Sequence, residues 1–233
     1  FYEICKNVSK TKPIILWKGG LTETGAGAAL AHTGKLAGSK KVWEAMTKQA
    51  GIVSVNSFDE IVDCIMAFSW MPLPKGKRTA ILSGMGGTNI GTADNCIFAG
   101  LEIANFSEDT CRKLEKEISA AGTAISNPLD IGVGAVMNQN LYGTAIKILA
   151  EDENVDMILA VNSPINHEGT ISLAEAVNSV LKPAAVALFD IPDIVEPEIK
   201  YLSENRVPVY RDPKRACNAM FKLADYAAYR NTH

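Results

Sequence analysis

Histidine is nearly absent from this chain: 233 residues hold three of them, His32, His167 and His233. None has a second His or Cys at ligand spacing, which argues against a metal centre. The cysteines Cys5, Cys64, Cys96, Cys111 and Cys217 are odd in number and never stand as CxxC. That spacing supports neither a disulfide frame nor a zinc site, and reads as reduced thiols. No apolar run approaches the ~20 residues that span a bilayer, and no signal peptide is visible, so the expected location is cytoplasmic and no membrane partner is expected. Charge of one sign is missing too. With 23 Lys+Arg against 26 Asp+Glu, the formal net charge is −3, and nothing points to nucleic acid.

What is present is alternation. Apolar runs of strand length fall at 13–18 (PIILWK), 51–55, 78–84, 155–161, 184–190 and 206–210. Amphipathic segments lie between them, and Ser57 and Ser107 stand at cap positions of two. Strands that are apolar throughout, alternating with helices, predict an α/β chain of doubly wound parallel sheets. The Pro- and Lys-rich stretch 71–77 reads as a linker. Residues 1–70 before it hold two strands, about half a doubly wound domain, and residues 78–233 are enough for a complete one. The chain opens on FYEICKNVSK, without Met and in the pattern of a helix already under way, so a fragment of a larger protein is expected.

Two glycine-rich stretches carry the chemistry. SGMGGTNIGTADNC, residues 83–96, joins a strand to a helix, where free backbone N–H groups and the positive end of the helix dipole face outward. Gly86 and Gly87 let an anion approach the backbone, and Thr88 or Asn89 can cap the helix or add a donor. Three readings stand side by side: a packing turn, a dinucleotide site on Gly84, Gly86 and Gly91, and a phosphate cradle. The dinucleotide spacing is off, and no clear acid stands at the end of a well-formed second strand about 20 residues on, so the cradle is favoured.

The other stretch is KGGLTETGAGAALAHTGKLAGS, residues 18–39, which follows the first strand. Its glycines and alanines predict a mobile loop around His32. An imidazole there can be a nucleophile, a general base, a metal ligand or a structural residue. Metal lacks companions, and a Ser-His-Asp triad lacks its GxSxG elbow. What remains is a phosphoryl acceptor, which needs a neutral ring nitrogen and donors for the transferred group. SNPLDIG at 126–132 reads as a structural turn, with the alternative that Asp130 touches a site. His167 reads as a cap or surface residue with a smaller chance of lining the crevice, and His233 is terminal.

TKPIILWKGGLTETGAGAALAHTGKLAGS resembles the segment around the phosphorylated histidine of NDP-forming acyl-CoA synthetases, the ADP-forming acetate–CoA ligases related to succinate–CoA ligase. RTAILSGMGGTNIGTADNC, SNPLDIG and VPVYRDPKRACNAMFKLADYAAYR are similar to that family's further flavodoxin-like domain. The resemblance covers nearly the whole chain. It implies that 1–70 is the second half of a flavodoxin-type domain bearing His32 as phosphoryl acceptor, and that 78–233 is a second ligase domain. It also implies that Gly86, Gly87, Thr88 and Asn89 supply one of two cradling helix ends. The implied parent uses CoA, ATP/ADP, Mg2+ and phosphate. Its expected partners are a CoA-binding domain, an ATP-grasp domain or beta subunit, and a second copy of the chain. The carboxylate that orients the histidine is expected upstream of Phe1, and Glu23 is not assigned that role. The acyl group, ADP against GDP, and one chain against two stay open. The rival readings are a nicotinamide-dependent oxidoreductase using the Gly84–Gly91 turn and a non-catalytic phosphate-binding module.

Overall fold

A computed structural model of the protein describes residues 1–36, 38–118, 125–132, 138, 140–163, 167–189 and 191–232. The chain forms two compact units, Phe1–Ile65 with Asp225–His233, and Met66–Ala224. The stretch 71–77 falls inside the second unit, and the last residues of the chain group with the first.

The first unit is built on two parallel strands, β1 (Ile14–Trp17) and β2 (Ile52–Val55), in register Ile14↔Ile52 to Trp17↔Val55. Around them lie α1 (Tyr2–Ser9), α2 (Glu23–Thr33), α3 (Lys40–Gln49) and the start of α4 (Phe58–Trp70). Ser57 caps α4 by accepting the Glu60 N–H at 3.1 Å, while the Glu60 carboxylate accepts the Asn56 N–H at 3.0 Å. The core is small: Cys5, Ala50 and Ile52, packed by Tyr2, Ile14 and Leu16. Gly51 has φ +64°, and a Cβ there would overlap the ring of Tyr229, so the turn into β2 admits only glycine. Phe58, Val62 and Ile65 form an exposed stripe at helical spacing on α4.

The second unit is a six-stranded parallel sheet of order β4-β3-β6-β7-β8, with β5 also paired to β3. Its strands are β3 (Arg78–Ser83), β4 (Glu102–Ile103), β5 (Leu129–Asp130), β6 (Met157–Asn162), β7 (Ala184–Leu188) and β8 (Val209–Tyr210). Its helices are α5 (Gly86–Ala99), α6 (Glu108–Glu117), α7 (Asn140–Glu151), α8 (His167–Ser179), α9 (Pro192–Glu204) and α10 (Pro213–Thr232), the last continuing past Ala224. Alternate side chains of β6 feed opposite cores. Ile158 and Ala160 pack with Tyr142, Ile146, Leu173 and Leu202, whereas Met157, Leu159 and Val161 pack with Cys96, Cys217 and Met220. Helices α6 to α9 therefore cover one face, and α5 and α10 the other. The doubly wound parallel α/β fold expected from the apolar strands is present.

Residues 126–132 are more than a turn. β4 pairs with the start of β3 and β5 with its end, on the same side. Between them the Asn127 side chain stands in for a strand: Oδ1 accepts the Ile81 N–H at 2.9 Å, and Nδ2 donates to Thr79 O and Ala104 O at 2.7 and 2.9 Å. A two-residue strand completed by one amide leaves no periodic signal in the sequence.

Candidate functional site

The strand β3 ends at Ser83, and the chain turns at once into α5. Four amides of the turn have a traceable acceptor. Gly84 N–H donates to Tyr142 Oη at 2.9 Å, and Met85 N–H to Ser83 Oγ at 3.2 Å. Thr88 and Asn89 N–H donate to Met85 O at 3.1 and 3.2 Å. Among the described residues, the Gly86 and Gly87 N–H groups have no acceptor. The helix has Met85 at its N-cap and no side-chain cap. Both glycines are exposed, and a Cβ on Gly87 would meet nothing within 4 Å. Free amides at a helix N-terminus, on the carboxyl side of a parallel sheet, are what an oxyanion needs.

Thr88 is half-buried and Asn89 is buried. The Asn89 amide nitrogen donates to Leu129 O at 3.2 Å, which ties the first turn of α5 to β5. Asp130 follows Leu129, and its Oδ1 accepts the Gly132 N–H at 2.9 Å. A Cβ at Gly86 would lie 3.2 Å from Asp130 Oδ2, a tight approach that places the carboxylate beside the helix start. The sequence leaves Asp130 as a residue that could touch a site but does not pair it with Gly86, since β5 is too short to read.

His32 is on a helix rather than in a loop. It occupies the last turn of α2, whose N-cap Thr22 accepts the Gly25 N–H at 3.1 Å and whose C-cap Gly34 has φ 68°. Alanines 26, 28, 29 and 31 outweigh the cost of Gly25 and Gly27, about 1 kcal/mol each relative to alanine. No residue of α2 is buried, and the His32 ring is exposed. Among the described residues the ring has no hydrogen-bond partner. The structure thus describes His32 in the first unit and Gly86–Asn89 in the second.

His167 is not an isolated surface residue. It opens α8, and its Nδ1 lies 2.9 Å from Glu198 Oε2 on α9, with the Tyr201 ring edge-on at 4.7 Å between centroids. Both partners lie far along the chain, out of reach of local pattern reading. A cavity of about 470 Å³ lined by Leu73, Lys75, Asp156 and Lys182 sits at the amino ends of β3, β6 and β7, away from these groups. No group of three metal-ligating side chains occurs among the described residues. No described helix is long and apolar enough to cross a membrane.

Comparison with known proteins gives a consistent neighbourhood. Residues 1–68 match the family model described as succinyl-CoA ligase like flavodoxin domain. The alpha subunit of acetate–CoA ligase [ADP-forming] II from Pyrococcus furiosus is 37% identical over 236 residues, covering 97% of this chain and 50% of that protein. Acetate–CoA ligase [ADP-forming] II from Archaeoglobus fulgidus is 36% identical over 99% of this chain and 34% of its own length. A structure of the dinucleotide forming acetyl-coenzyme A synthetase 1 of Ca. Korarchaeum cryptofilum, in complex with phosphate and ADP, superposes with a TM-score of 0.86 at 29% identity. It covers 99% of this chain and 50% of that one. The chain spans half or less of the length of these proteins.

Proposed function

We propose that this chain, a relative over nearly its whole length of the ADP-forming acetate–CoA ligases, works as the phosphoryl-carrying part of an ADP-forming acyl-CoA synthetase. In this reading the whole enzyme interconverts acyl-CoA, ADP and phosphate with acid, CoA and ATP. An acyl phosphate forms first, its phosphoryl group moves to His32, and His32 hands it to the nucleotide. Residues 1–70 belong to the histidine-bearing flavodoxin-type domain, and 78–233 form a second ligase domain.

The observation that carries the reading is the pair of exposed, unpaired amides at Gly86 and Gly87. A helix end of this kind carries roughly half a positive charge and, where exposed, stabilises an anion by about 0.3–1 kcal/mol. Thr88 stands beside them, and Asn89 anchors the turn that presents them. Exposure of His32 suits a group that must meet more than one partner. Its final helical turn, bounded by the left-handed Gly34, sets where the ring stands. CoA, a nucleotide and Mg2+ would be held mainly by an ATP-grasp unit and a CoA-binding domain of the whole enzyme.

Formation of ATP from acetyl-CoA, ADP and phosphate by the full-length protein tests the reading. It predicts turnover that stops when either ADP or phosphate is omitted. Quenching of the three tryptophans by NADH at micromolar concentration, with no such turnover, would favour the oxidoreductase instead.

A further inference from the structure

β6 is hydrogen-bonded to β3 in the register Ser83↔Val161. The helices that follow these neighbouring strands leave on opposite faces of the sheet: α5 packs on one core and α8 on the other. Such a divergence is the place where open parallel sheets leave a crevice at their carboxyl edge. The free amides of α5 and the His167 side of α8 both belong to that edge.

The His167 ring is held from one side only. Its Nδ1 pairs with Glu198, whose side chain is 13% exposed, while the histidine side chain remains 52% exposed. Tyr201 packs edge-on against the ring and fixes its plane. A carboxylate on Nδ1 sets the neutral ring as the Nδ1–H tautomer, with its lone pair on Nε2. In that tautomer Nε2 is the ring atom that can take up a proton, with the Glu198 carboxylate facing the opposite side of the ring. Glu168, the next residue of α8, is exposed. A phosphoryl dianion on this ring would stand beside Glu198 and Glu168, so charge favours a proton over a phosphoryl group.

We propose that His167, positioned by Glu198, is the proton-transfer residue of the acyl-transfer step, an inference that rests on the acyl-CoA synthetase reading. A phosphate oxygen forms a bond to the acyl carbon, and its O–H proton passes to Nε2. The carbon–sulfur bond breaks with its electron pair leaving on sulfur. The Nε2–H of the imidazolium then protonates the thiolate, and the ring returns to its neutral tautomer. The products are acyl phosphate and the CoA thiol, and the proton count closes without a further co-reactant.

Arsenolysis by the full-length enzyme isolates this step. Arsenate replaces phosphate, the acyl arsenate hydrolyses, and loss of acetyl-CoA is followed directly. His167→Gly should lower kcat about a hundredfold with little change in KM for acetyl-CoA, and added imidazole should restore much of the rate. Glu198→Gln should lower kcat about tenfold. Labelling of the enzyme by ATP reports whether each variant is folded. Where His167→Gly fails that check, Glu198→Gln carries the same test. Undiminished arsenolysis in the variants overturns the inference, and so does a loss in His167→Gly that imidazole does not relieve. A wild-type enzyme with no arsenolysis at all overturns the synthetase reading instead.

Discussion

The Tyr142 hydroxyl accepts the Gly84 N–H at 2.9 Å and donates to Val161 O at 3.1 Å. One phenol from α7 therefore ties together the carboxyl ends of β3 and β6, directly beneath the turn that presents the Gly86 and Gly87 amides. Removing the hydroxyl leaves a buried amide without an acceptor. Tyr142→Phe should cost about 1–3 kcal/mol in a denaturant titration.

Burial pushes the Tyr142 hydroxyl up to about 12, against the hydrogen bonds from Gly84 and Ser83. The unfolded chain loses that proton near 10, so stability is complete below pH 10 and falls as the pH rises toward 12. A shift of this size corresponds to about 2–3 kcal/mol. Alkaline unfolding curves of the wild type should show that fall, and Tyr142→Phe should flatten it.

The amino edge of the same sheet is fastened by charge. Asp156, with a side chain 4% exposed, accepts from Arg78 N and Nε at 3.0 and 2.9 Å on Oδ2 and from the guanidinium at 2.9 Å on Oδ1. Burial works to raise the Asp156 carboxyl, but the Arg78 hydrogen bonds and charge hold it below the ordinary 3.8. Its contribution is present above that value and is lost as the pH falls through the lower folded one. Asp156→Asn should cost of order 2–4 kcal/mol at neutral pH. Thermal melts should show the gap between variant and wild type closing below pH 4.

Gly87 separates anion binding from folding. A Cβ there meets no neighbouring atom within 4 Å, so Gly87→Val should melt within about 0.5 kcal/mol of the wild type, as surface changes do. Its branched carbons would stand where the anion sits. Phosphate, which stabilises the wild type by mass action, should no longer raise the melting temperature of the variant.

Much of the fold was legible in the sequence because parallel strands buried on both faces are apolar throughout, as in Met157–Asn162 and Ala184–Leu188. The short strands were not. β4 and β5 have two residues each, and the Asn127 amide that completes their ladder is indistinguishable in sequence from a turn residue. α2 was hidden by its glycines, whose loop signal masked the alanines between them. Ile90, Ile97 and Phe98, apolar at helical spacing, sit exposed on α5, so periodicity alone did not tell which face is buried. At the site, the Gly86–Asn89 turn was readable from glycine chemistry. The Asp130 contact at Gly86 and the Glu198 partner of His167 were not, since tertiary folding brings them together.

The measurement closest to the central claim is phosphoryl labelling of His32. The full-length enzyme, incubated with radiolabelled ATP and magnesium, should acquire an acid-labile, base-stable label, and digestion should place it on the peptide spanning Glu23 to Lys35. His32→Asn should remove both label and turnover with an unchanged melting temperature, because the exposed ring contributes no packing. Label that persists in His32→Asn, or that maps to another residue while His32 stays unmodified, would contradict the account.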